Sequence, residues 1–168
     1  MSQPVAVRVA AVCLMVGLAL VRFGLTAHGA VAAFVSGVLV VLAAIDIERR
    51  ILPNRIVLPA TAIVLVVQVT AFPERAAEWV IASAGAAVFL FAVRALNPAG
   101  LGLGDVKLAL LLGAALGAAV VPALAIGALA AGFVGVVLIA RYGSTALKTS
   151  LPFGPFLAAG ALITLFIA

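Results

Sequence analysis

From Leu108 to Ile139 the chain runs 32 residues without a single charged side chain. As one helix that run would be about 48 Å long at roughly 1.5 Å per residue, against a hydrocarbon core of about 30 Å. A water-soluble fold of 168 residues has no interior large enough for such runs, because small domains leave much of their area in water. The composition extends the point to the whole chain: 67% of residues are apolar and 9% charged, where soluble domains average about 45–50% and about 25%. Lipid contact lifts the restriction, since a membrane protein is apolar outside as well as inside. The expected class is therefore all-α, a polytopic membrane helical bundle.

Polar and helix-breaking residues divide residues 1–168 into seven candidate spans within one expected domain: Val5–Leu25, Gly29–Ile45, Ile56–Phe72, Glu78–Leu96, Val106–Val121, Pro122–Ala140 and Leu151–Ala168. Six spans result if the long apolar run is one steeply tilted helix. A tight re-entry at Pro122 is the better expectation, because proline lacks the donor for an interior helical bond yet suits a first turn. Val5–Val21 is too long for a secretory h-region, so the first stretch is expected to stay as a span. With seven spans and a cytoplasmic N-terminus, Arg8, Arg49, Arg50, Arg55, Arg94, Lys107, Arg141 and Lys148 fall inside, and only Arg22 and Arg75 outside. Basic residues are retained on the cytoplasmic side, so this bias orients the bundle in a cytoplasmic membrane. The net charge of +5 forms no basic stripe with interleaved aromatics, which argues against a nucleic-acid partner. Cys13 is the single cysteine; it makes no internal disulfide and no cysteine-based zinc cluster. Gly113 and Gly117 form a small-xxx-small face suited to close helix packing.

The five acidic residues are Asp46, Glu48, Glu74, Glu78 and Asp105. Asp46 ends the second span and Asp105 begins the fifth, so the topology places both at one depth on one face. A carboxylate at or within the bilayer is costly to ionise and is kept for a partner or a task. Two that face each other resist being ionised together, and such a pair can share one proton. That is what amide hydrolysis by water needs: one carboxylate to take a proton from water, and one carboxylic acid to donate toward the carbonyl and then the leaving nitrogen. Neither a metal nor another cofactor is required. Each aspartate also has a plainer reading. Asp105 suits the first turn of a helix, where free amides and the dipole favour an anion. Asp46 can be balanced by Arg49 and Arg50 if the helix continues that far.

The flanking residues add to the pattern. Gly102 and Gly104, within Gly100-Leu101-Gly102-Leu103-Gly104-Asp105, permit close backbone approach just before the aspartate. No Walker pattern follows, so a phosphate loop is not indicated. Lys107 is a local counter-charge or a marker of the cytoplasmic side. Pro53 and Asn54, with Pro59 beyond them, imply a rigid turn at the Asp46 end. The segment Lys148–Phe156, with Pro152, Gly154 and Pro155, implies broken helix at the same face, where irregular backbone would line a cleft.

Three blocks carry a resemblance to a known family: Asp46 followed by Ile51-Leu52-Pro53-Asn54; Gly102-Leu103-Gly104-Asp105-Val106-Lys107-Leu108; and Leu151-Pro152-Phe153-Gly154-Pro155-Phe156. In this order they resemble the type IV prepilin leader peptidases, membrane aspartyl proteases of the glycine-x-glycine-aspartate class, over residues 31–168. The resemblance implies that Asp46 and Asp105 are the catalytic pair, with Gly102 and Gly104 shaping the site. It implies removal of the cytoplasmic leader from pilin or pseudopilin precursors at the inner membrane of a bacterium, beside membrane lipid and pilus assembly or secretion machinery. The larger bifunctional members also methylate the new N-terminus, using a cytoplasmic insertion that often holds paired CxxC motifs. Here only a few residues join the first two spans, so methyl transfer, S-adenosylmethionine and zinc are not expected, and the compact form resembles peptidases of Flp or tight-adherence pili. Two rival readings of the residues are a small ion or solute transporter, which would place acids near mid-membrane, and a non-catalytic membrane assembly subunit, which would tolerate Asp→Asn.

Overall fold

The computed structural model describes residues 5–96, 98, 100–142 and 152–167. Among them are seven α-helices and no strand: α1 Val5–Phe23, α2 Ala27–Arg49, α3 Asn54–Ala71, α4 Ala76–Leu96, α5 Leu103–Leu116, α6 Val120–Tyr142 and α7 Gly154–Ile167. Five helical stretches are long and apolar enough to cross a membrane, with the fourth running from Pro73 to Leu96 and the fifth from Leu103 to Tyr142. Large apolar side chains such as Val21, Ile81, Val88 and Phe133 stand on the outside. Water would penalise that surface and lipid does not, so the chain is a multi-pass membrane protein.

Local chemistry sets the ends of the helices. α1 stops at Gly24, which takes a positive φ of 70° while its N–H donates to the Leu20 carbonyl at 2.8 Å. Thr26 caps α2, its Oγ1 accepting from Gly29 N at 3.0 Å. α2 ends on Arg50 in the left-handed region, and Pro53 then caps α3. Proline suits that place because the first helical amides need no intrahelical acceptor.

Side-chain contacts define the two ends of the bundle. At one end Arg8 of α1 pairs with Glu48 of α2, Lys107 of α5 bonds Asn54 of α3, Arg94 of α4 bonds the Leu101 carbonyl, and the Gly154 N–H of α7 meets Asp46. At the other end Phe23 lies against Phe166, His28 stacks on Phe72 at 4.1 Å, and the Gln68 amide bonds the Ala115 carbonyl. Leu39, Leu42, Leu108, Leu111, Leu112 and Leu157 form the fully buried centre.

The re-entry in the long apolar run occurs at Gly117 and not at Pro122. Gly117 has φ 57° and ψ −134°, a combination open to glycine alone. A three-residue 3-10 turn follows, and Pro122 is the third residue of α6, where its missing donor costs no hydrogen bond. α6 then returns antiparallel to α7, with Gly127 beside Phe156 and Leu157 and Gly160 beside Gly127. The last helix is also shorter than expected, beginning at Gly154. Residues 148–151 of the expected break lie outside the described residues.

Gly113 does bring two helices together. A methyl group added there would come within 2.5 Å of the Ser83 Cα on α4, so α4 and α5 meet backbone to backbone. Gly113→Ala is therefore expected to destabilise the protein by about 1–3 kcal/mol through overpacking. Thermal unfolding in detergent checks this against Gly17→Ala, where the added carbon meets nothing within 4 Å; equal melting temperatures would contradict the close-packed interface.

Candidate active site

Asp46 lies one turn before the end of α2, and Asp105 is the third residue of α5. Both are buried, 6% and 8% exposed. Although 59 positions apart in sequence, they line one cavity of about 430 Å³ together with Arg50, Ile51, Leu52, Pro53, Asn54, Gly102, Leu103, Gly104 and Lys107. Asp46 is close enough to act electrostatically on Asp105, and Arg50 on Asp46.

Each carboxylate is held by a backbone N–H from a segment just before a helix interior. The Gly102 N–H donates to Asp105 Oδ2 at 3.0 Å, and the Gly154 N–H donates to Asp46 Oδ2 at 3.1 Å. Asp105 is thus the first-turn carboxylate of the plainer reading and also a wall of the shared cavity. α2 continues to Arg49, as the plainer reading of Asp46 requires, but it is Arg50 that lines the cavity with it.

Glycine makes this convergence sterically feasible. A methyl group on Gly104 would stand 2.9 Å from Leu52 Cβ, and one on Gly154 would stand 2.7 Å from Asp46 Oδ2. The start of α5 can therefore press against the α2–α3 link, and the start of α7 against Asp46. Lys107 Nζ donates to Asn54 Oδ1 at 2.8 Å, tying α5 to α3; it forms none of the ion pairs found among the described residues. Pro152 and Pro155 do not line the aspartate cavity. Pro155 instead lines a separate cleft with Arg8 and Ile47. Among the described residues no three His, Cys, Asp or Glu side chains gather as a metal site would need.

Arg94 is a contributor that the sequence pattern did not single out, since it reads there only as a basic residue at a span end. Its guanidinium donates to the carbonyl of the buried Leu101, anchoring the segment that supplies the Gly102 N–H. Arg94→Ala is expected to raise hydrogen exchange over residues 100–105 roughly tenfold, the worth of one charged hydrogen bond. Arg94→Lys, which keeps a charged donor, should restore much of the protection. Unchanged exchange in the alanine variant would remove Arg94 from the site's support.

A model of the family described as the type IV leader peptidase family matches residues 33–140, a range that contains both aspartates and ends before α7. Two proteins from Burkholderia pseudomallei, strains 1026b and K96243, each named prepilin leader peptidase/N-methyltransferase, are 36% identical to this chain over 156 residues. The alignment covers 89% of this chain and 47% of each relative, so the chain spans about half the length of the curated relatives it matches. No solved structure matches it.

Proposed function

This chain belongs to the type IV leader peptidase family, and from that membership we propose that it hydrolyses the peptide bond joining a leader to a type IV pilin-like precursor. The observation that carries the reading is the meeting of Asp46 and Asp105, from two separate helices, in one cavity at one end of the bundle. Each backbone bond engages Oδ2 only, which leaves Oδ1 of each carboxylate for proton exchange. Burial of both carboxylates, with the like charge of a neighbour in the same cavity, keeps one proton on the pair. The ionised member takes a proton from water as the water oxygen attacks the scissile carbon. The protonated member donates to the carbonyl oxygen. When the tetrahedral intermediate collapses, the C–N bond breaks and a proton passes to the departing nitrogen. Gly104 lets the start of α5 press against Leu52 and Gly102 presents its N–H to Asp105, while Lys107 and Asn54 hold the α5 and α3 ends together.

The aspartate end of the bundle is proposed to face the cytoplasm, with the N-terminus on the same side of a bacterial inner membrane. Arg8, Arg50, Arg94 and Lys107 all belong to that end, and Arg22 and Arg75 to the opposite one. That distribution supports this orientation, because basic residues are retained on the cytoplasmic side. Flp or tight-adherence pilins are the proposed substrate class, and the proposal is confined to hydrolysis, without methyl transfer. The test is mass spectrometry of the N-terminus of a pilin precursor co-expressed with the protein. A shortened, unmethylated N-terminus is expected; an intact leader would overturn the reading.

A further inference from the structure

α6 packs mainly on α7 and only slightly on α4, and between them lies a groove of about 650 Å³. α4 contributes Ile81, Gly85 and Phe89, α6 contributes Ala125 and Ala128, and Phe153 stands at the start of α7. The acidic residue in the groove is Glu78 at its far end, already engaged by Arg75 and by the Ala118 N–H.

The groove reaches the depth of the aspartates. Three contacts give the antiparallel register of α4 and α5: Gly113 beside Ala82 and Ser83, Ser83 Oγ bonded to the Leu110 carbonyl, and Arg94 bonded to the Leu101 carbonyl. In that register Leu90, which lines the groove, is level with residues 103–105. Phe153, on the other wall, immediately precedes the Gly154 that bonds Asp46. From Leu90 to Glu78 the groove follows α4 for twelve residues, or about 18 Å of helical rise.

We propose that this groove seats the apolar helix of the substrate that continues from the cleaved bond into the membrane. This rests on the peptidase reading above. An occupant must be apolar, lie alongside α4, and end at the depth of the two carboxylates. Gly85, Ala125 and Ala128 leave room for another helix backbone to approach, which is how helices associate where lipid removes the hydrophobic drive. Helix binding remote from the scissile bond then holds that bond at the aspartates, so the groove contributes to processing without touching the reacting atoms.

The experiment uses matched substitutions. A carbon added at Gly85 or at Gly17 meets nothing within 4 Å, so both positions are open to a side chain, but only Gly85 lines the groove. Gly85→Leu is expected to slow removal of the leader from the full precursor roughly tenfold or more, through loss of remote binding. Gly17→Leu is expected to leave the rate unchanged. In a Cys13→Ser background, Gly85→Cys should cross-link to a cysteine placed in the precursor's apolar segment. Normal cleavage by Gly85→Leu, or a disulfide formed only with a second copy of the chain, overturns the groove assignment while the peptidase reading stands. An intact precursor with the unsubstituted protein overturns both.

Discussion

Asp46→Asn and Asp105→Asn are each expected to abolish leader removal, lowering the rate by about a thousandfold or more, within the range assigned to positioned acid–base groups. Asparagine keeps the shape of the side chain, and its carbonyl oxygen can still accept the Gly102 or Gly154 N–H that now meets Oδ2. The cap on α5 and the α2–α7 contact therefore survive, and the melting temperature should hardly move. What is lost is the exchangeable proton, since an amide neither takes one from water nor donates one as a carboxylic acid does. Because the two groups work as one proton-sharing unit, the double variant should be little slower than either single one. N-terminal mass spectrometry of the co-expressed precursor gives the rate, and circular dichroism with thermal melting verifies folding. Full processing by a well-folded Asp46→Asn or Asp105→Asn protein would refute the mechanism.

Gly154→Ala is expected to reduce processing by about a hundredfold, the cost of displacing a reacting group by roughly 1 Å. The added carbon would stand 2.7 Å from Asp46 Oδ2 and 3.1 Å from its Cγ. One of the two must shift, and the carboxylate is the freer. Helix propensity gives no reason for a loss, because alanine is a better helix former than glycine. A variant with near-normal melting and low activity thus separates the site contact from the helix. The loss should fall mainly on kcat, as Asp46 acts on the bond and not on substrate capture. Gly135→Ala on α6, where nothing lies within 4 Å, is the control. Equal activity in the two variants would show that Asp46 has room to keep its place.

The apolar runs located the helices, and the residues Asp46 and Asp105 were legible as a pair because a zigzag path puts alternate helix ends together. The reversal falls at Gly117 and not at the more conspicuous breaker Pro122, because the turn depends on a positive φ that glycine supplies. Lys107 reads in the sequence as a local counter-charge or a marker of the cytoplasmic side; the structure adds its bond to Asn54, a partner 53 positions away that no local pattern names. Arg94 looked like one more basic residue, and its tie to Leu101 depends on how the chain turns between α4 and α5.

By itself the sequence determined that the chain crosses a membrane several times and that two carboxylates end up at one end of the bundle. Both follow from hydropathy and span parity, which are properties of the chain read in order. Tertiary structure alone decided that Gly154 clasps Asp46, that Gly113 seats α5 on α4, and that α6 stands off α4 to leave a groove. In lipid every face of these helices is apolar, so amphipathicity does not mark which one turns inward. Neighbours are chosen by the fit of small residues and single hydrogen bonds between segments distant in sequence.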